Sequence, residues 1–170
     1  VTLRLGVIGM TKRITISTLD AMKASGDKFV MITAYDATFA RLASEAGAET
    51  ILVGDSLGMV LQGHETTIPV SLDAMAYHTE CVARARPHSL IVADLPFMSF
   101  SNSDDTLHAS TRLMQAGAQM VKLEGGTWLS DSIHRLVERG VPVCAHLGLT
   151  PQSVNVFGGY RVQGRTPKEA

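Results

Sequence analysis

The chain reads as an α/β protein of the (β/α)8 TIM-barrel class, of which it supplies about the first five βα units. Three observations lead there. Apolar segments of strand length alternate with amphipathic helical patterns, at a repeat of about 30 residues, the size of one βα unit. The strand segments are continuous apolar runs rather than alternating ones, which implies burial on both faces and a parallel sheet covered by helices. Strands two to five each end in a chemically useful residue: Asp55, Asp94, Glu124 and His146. An open sheet gathers ligand groups near one switch point, whereas a barrel draws them from successive strands around a ring. A small doubly wound sheet is the alternative. A full barrel takes roughly 250 residues, and the chain has 170.

The elements follow in order. A first helix is expected from Thr18 to Ser25, capped by Ser17 or Thr18 and stopped by Gly26. Strand Phe29–Tyr35 leads to helix Ala37–Gly47. Strand Thr50–Ser56 leads through a long loop to helix Ser71–Arg86, and strand Ser89–Leu95 to helix Ser103–Gly117. Strand Met120–Glu124 precedes helix Trp128–Gly140, and strand Val141–Leu147 comes last. Gly47, Gly117 and Gly140 follow helical patterns and suit the left-handed conformation that ends a helix. Ser71 and Ser103 are expected N-caps, each followed by acidic residues in the first turn. Residues 1–12 read as an N-terminal extension, with Met10 as an alternative start, and 13–170 as one portion of a single domain.

Composition narrows the function. With 45% hydrophobic and 18% charged residues and a net charge of −1, the chain is an ordinary globular one. There is no basic run to attract nucleic acid or an anionic membrane. No apolar run reaches the ~20 residues that span a bilayer, and the start lacks the pattern of a signal peptide. Cys81 and Cys144 sit in apolar contexts without metal-ligand spacing and read as reduced core residues. That fits a cytoplasmic protein.

The strand ends carry the chemistry. Asp55 and Asp94 close neighbouring strands, and two carboxylates there suit Mg²⁺, which takes oxygen ligands and keeps waters for a substrate to displace. As strand-end turn formers or helix caps they would be merely structural. Lys122 and Glu124 share one face of their strand by period two. They form either a mutual ion pair or a functional couple, Lys122 neutralising a carboxylate or enolate and Glu124 supporting the metal or its water. Ser56 is placed to hydrogen-bond a bound carboxylate. His146 is a proton shuttle, a substrate donor or a satisfied core histidine. His64, His78, His88, His108 and His134 read as solvated or structural, and Gly125-Gly126 and Gly158-Gly159 as turns.

Longer stretches carry a resemblance: ITAYD (Ile32 to Asp36), VGDSLGMVLQGHETTIPV (Val53 to Val70), AYHT (Ala76 to Thr79), VADLPFMSF (Val92 to Phe100), MVKLEGG (Met120 to Gly126) and PVCAHLGLTPQSVNVFGGYRVQGR (Pro142 to Arg165). Together they resemble the ketopantoate (3-methyl-2-oxobutanoate) hydroxymethyltransferase family. The resemblance implies a (β/α)8 barrel, a decamer, a cytoplasmic location and a place in pantothenate synthesis. The implied reaction transfers a one-carbon unit from 5,10-methylenetetrahydrofolate to 3-methyl-2-oxobutanoate through a Mg²⁺-stabilised enolate, giving 2-dehydropantoate. Implied roles are Mg²⁺ ligation by Asp55 and Asp94, support of the metal by Glu124, oxo-acid binding by Ser56 and Lys122, and a position for His146 near the reacting groups. The resemblance puts the general-base glutamate and the last three strands beyond residue 170, so the chain is expected to be a partial enzyme, inactive or nearly so alone. Rival readings are a Mg²⁺-dependent carbon–carbon lyase of the phosphoenolpyruvate mutase and isocitrate lyase type, and a fragment with a packing role only.

Overall fold

A computed structural model describes residues 12–166. The expected extension, with Met10, therefore lies outside the described residues except for Lys12. Helix α1 (Ile16–Ser25) starts two residues early, because Thr15 and not Ser17 or Thr18 caps it. The Thr15 hydroxyl accepts the Thr18 N–H, and the Thr18 hydroxyl accepts the Thr15 N–H, a reciprocal box that satisfies two end donors. Gly26 closes the helix in the left-handed region.

Five strands and four principal helices then alternate: β1 (Met31–Thr33), α2 (Ala37–Glu45), β2 (Thr50–Val53), a short α3 (Leu57–Val60), α4 (Leu72–Arg84), β3 (Leu90–Asp94), α5 (Ser103–Gln115), β4 (Met120–Glu124), α6 (Ser130–Glu138) and β5 (Val143–His146). A 3₁₀ turn, Thr127–Leu129, precedes α6, and another, Pro151–Ser153, leads into a last short helix, α7 (Val154–Phe157). Ser71 caps α4 as expected. Ser103 does not cap α5: Asn102 does, its side-chain oxygen accepting the N–H groups of Asp104 and Asp105. An Asx side chain reaches those donors, and Ser103 is instead bonded to Asp131 and Ser132. The expected long loop after β2 contains α3, whose Leu57 is fully buried.

All four strand pairs are parallel, and the order is β1-β2-β3-β4-β5 without a reversal. Right-handed crossovers in that order lay every helix on the same face. Contacts between α2 and α4, α4 and α5, and α5 and α6 confirm one helical layer. An arc with no switch point is the barrel arrangement, not the doubly wound one. The core lies between sheet and helices and includes Ile51, Val53, Ile91, Ala93, Val121 and Leu123. Gly117, at φ +113°, brings β4 in under α4; a Cβ there would run into that of Ala83.

Burial on both faces holds for β3, where every residue is buried, but fails for β1, where all three are exposed. It is partial for β5. Both are edges of the sheet, so among the described residues one flank has no neighbouring strand to cover it. β1 is also shorter than the expected Phe29–Tyr35, since Tyr35 and Asp36 leave the ladder for other work. Cys81 and Cys144 are free, as expected, yet only half-buried rather than in the core.

Candidate active site

Period two divides the strand side chains between helix layer and opposite face. Asp94, Lys122 and Cys144 are register partners on that opposite face, and Glu124 and His146 form the next row. Asp55 and Ser56 enter from the turn after β2. The six residues expected of the site, Asp55, Ser56, Asp94, Lys122, Glu124 and His146, all line one open cleft of about 680 Å³. It lies at the C-terminal ends of the strands, where barrels bind ligands.

The carboxylates are buried: Asp55, Asp94 and Glu124 are 4%, 5% and 6% exposed. Each is held by hydrogen bonds. Lys122 Nζ lies 2.8 Å from Asp94 Oδ1, and Asp94 Oδ2 accepts the Asp55 N–H at 3.2 Å. Lys122 and Glu124 are thus not a mutual ion pair; the register sets Lys122 opposite Asp94, and Glu124 opposite His146. Burial pulls against a charged Lys122, but Asp94 beside it outweighs that and holds the ammonium above its usual value. Burial, together with the negative charge of Asp94, pushes the Asp55 carboxyl up to about 7. Ionising both aspartates therefore costs free energy that a cation between them would recover.

Glu124 is gripped on both oxygens. Its Oε2 lies 3.0 Å from His146 Nδ1, and its Oε1 accepts the Gln152 backbone N–H at 2.6 Å. A carboxylate only accepts, so Nδ1 carries the hydrogen of this contact. His146 is thus oriented by its buried partner, with Nε2 as the ring nitrogen not engaged by Glu124.

Three contributors escaped the sequence reading. Gln152 is buried, and its side-chain amide donates to Asp55 Oδ2 at 2.8 Å and to the Leu95 carbonyl at 2.9 Å. With its backbone bond to Glu124, it joins the two acidic centres. Only its place in the TPQSVN stretch hinted at a role. Tyr35 bonds Ser56, hydroxyl to hydroxyl, at 2.9 Å, and its carbonyl meets His78 Nδ1 at 2.9 Å. Attention to the polar end of the first strand would have found it. Thr67 also lines the cleft, its hydroxyl buried with no hydrogen-bond partner among the described residues.

Together these features define a class: a barrel-type arc of parallel βα units bearing an acidic site at its C-terminal rim. The chain belongs to the ketopantoate hydroxymethyltransferase family, whose model matches residues 13–170. It is 62% identical over 153 residues to a 3-methyl-2-oxobutanoate hydroxymethyltransferase of Burkholderia vietnamiensis, covering 90% of this chain and 56% of that protein. It is 60% identical over 157 residues to one of Marinobacter nauticus, covering 92% and 60%. The chain thus spans little more than half the length of these curated relatives.

Among solved structures, phosphonopyruvate hydrolase in complex with oxalate and Mg²⁺ superposes with a TM-score of 0.65 at 17% identity, over 83% of this chain and 53% of that one. The 2,3-dimethylmalate lyase of the PEP mutase/isocitrate lyase superfamily gives 0.59 at 16%, over 84% and 54%. At such identity the likeness is one of fold, and the family match turns the choice away from the lyase reading. No helix among the described residues is long and apolar enough to cross a membrane.

Proposed function

We propose that this chain carries the metal and oxo-acid half of a 3-methyl-2-oxobutanoate hydroxymethyltransferase site, with 5,10-methylenetetrahydrofolate as one-carbon donor. The observation that carries the reading is the single hydrogen-bonded chain Lys122–Asp94–Asp55–Gln152–Glu124–His146, assembled from four strand ends in one cleft. Family membership supplies the reaction; the chain of contacts gives each residue a part.

Asp55 and Asp94 are the residues that would hold Mg²⁺. The donor set fits that ion: the two side chains are buried carboxylates at one rim, and Mg²⁺ is commonly bound through one or two carboxylates plus water and substrate oxygens. Burial, together with the negative charge of Asp94, raises the Asp55 carboxyl, and a bound cation would offset both. When bound, the ion supplies Lewis-acid polarisation of the 2-oxo group. Glu124, held by His146 and by the Gln152 N–H, supports the metal site. Lys122 sets positive charge where the oxo-acid carboxylate and the developing enolate need it, and Ser56 offers a hydroxyl to the same carboxylate. His146 Nε2 is positioned to take or return a proton. In the transfer, the C3–H bond of the oxo acid breaks and a bond forms from C3 to the methylene carbon. Both carbon–nitrogen bonds that bridge the methylene to the folate break; water supplies the hydroxyl, and the C3 proton and the second water proton go to the two folate nitrogens. The same family reading makes the working protein a cytoplasmic homo-oligomer, decameric in assembly.

Deuterium exchange at C3 of 3-methyl-2-oxobutanoate, followed by NMR with and without Mg²⁺, tests this apart from folate. Binding of the oxo acid that requires Mg²⁺ and is lost in Asp55→Ala is the expected result. Exchange in addition would mean that a group within this chain serves as base. An oxo acid that binds equally well without Mg²⁺, or not at all, refutes the proposal.

A further inference from the structure

A second cavity, of about 380 Å³, opens beside the acidic cleft and has a different character. Its walls are Phe97, Met98 and Phe100 from the loop after β3, Trp128 from the turn after β4, and Gln152 and Ser153 from the turn after β5. All follow C-terminal strand ends. Glu124 lines this pocket as well as the acidic cleft, so the two cavities meet at its carboxylate.

The aromatic wall is built rather than incidental. Trp128 is stacked on Phe100, ring centres 6.1 Å apart and planes within 11°. Gly125 permits that pose: a Cβ there would lie 2.8 Å from the indole and 2.7 Å from Leu129. Met98 holds φ +61°, a conformation a non-glycine residue adopts rarely and at some cost. Despite this fixing, Trp128 is 62% exposed and Met98 61%, and Phe97 shows 40% of its surface. Large apolar side chains are held in place and open to solvent, with a carboxylate and an amide at one end. That combination suits a flat heteroaromatic ring with a polar edge, and the volume falls in the range of small-molecule sites.

We infer that this pocket seats the pterin ring of the folate co-substrate, delivering its one-carbon unit to the cleft across Glu124. The inference rests on the function proposed above and adds the place of the second substrate. Phe97 and Trp128 supply the ring's apolar faces, and Gln152 and Glu124 its polar edge.

Trp128 is the single tryptophan of the chain, which makes the test direct. Tetrahydrofolate, which lacks the transferable carbon, is titrated against Trp128 emission with absorbance corrected, and binding of 3-methyl-2-oxobutanoate in the presence of Mg²⁺ is measured alongside by calorimetry. The expected result is saturable quenching, with Phe97→Ala weakening tetrahydrofolate about tenfold or more while oxo-acid affinity stays within about twofold. Oxo acid that binds while tetrahydrofolate either fails to bind or binds without touching Trp128 emission and without response to Phe97→Ala overturns the pocket and leaves the proposed function standing. Failure of the oxo acid to bind strikes the proposed function first, and this inference falls with it.

Discussion

The middle of the sheet and its first edge are made of the same kinds of residue and behave differently. Ile32, Ile51 and Ile91 are register partners across β1, β2 and β3. Ile51 and Ile91 are fully buried, while Ile32 is 39% exposed. The side chain is identical and the direction is the same; only the number of neighbouring elements differs. Burial of a strand residue is thus decided by its flanks, not by its own hydrophobicity. The same contrast runs through the site. Asp94, Lys122 and Glu124 come from two of the three interior strands, with both carboxylates buried and Lys122 paired to Asp94. His146, from the other edge, is held by one hydrogen bond to Glu124.

The contrast makes quantitative expectations. Ile91→Ala opens a cavity in the packed interior and should cost about 3 to 4 kcal/mol, read as a shift in the urea midpoint. Lys122→Met removes the cation from a nearly buried pair and leaves Asp94 uncompensated. A loss of about 3 kcal/mol at neutral pH is expected; a change within about 0.5 kcal/mol would mean that the pair is solvated. Gln152→Leu strips the amide from Asp55 and from the Leu95 carbonyl while keeping the backbone bond to Glu124. It should cost about 1 to 2 kcal/mol. It should also lower affinity for Mn²⁺, titrated by electron paramagnetic resonance as a stand-in for Mg²⁺, by about tenfold. An unchanged Mn²⁺ affinity would reduce Gln152 to a packing role. Ile32→Ala should cost least, under about 1 kcal/mol, since much of that surface already faces water. If Ile32→Ala matched Ile91→Ala, the edge would be as well packed as the centre, and the comparison would fail.

Much of this was legible in the residues. The alternation of runs and helical patterns placed all five strands, and glycines 47, 117 and 140 do occupy the left-handed region behind their helices. The polar strand ends named every expected member of the cleft, because a carboxylate at the end of a Val/Ile/Leu run has no packing reason to be there. Harder to read were the contacts across the sheet. Period two left Lys122 and Glu124 as either a mutual ion pair or a functional couple, and each is bonded to the strand beside it. Thr15 and Asn102 took caps that Ser17 or Thr18 and Ser103 seemed to offer, since a cap is chosen by local geometry within a residue or two.

The sequence by itself therefore determined the elements, their parallel burial pattern in the centre, and which side chains gather at one rim. Local periodicity and side-chain chemistry act over a few residues and suffice for that. Only the tertiary structure decided who bonds to whom. Strand register set Asp94 against Lys122 and Glu124 against His146, and the return of the chain after β5 brought Gln152 within reach of Asp55, 97 positions away in sequence. Such pairings depend on the distances between chain segments far apart in sequence, and no local pattern encodes them.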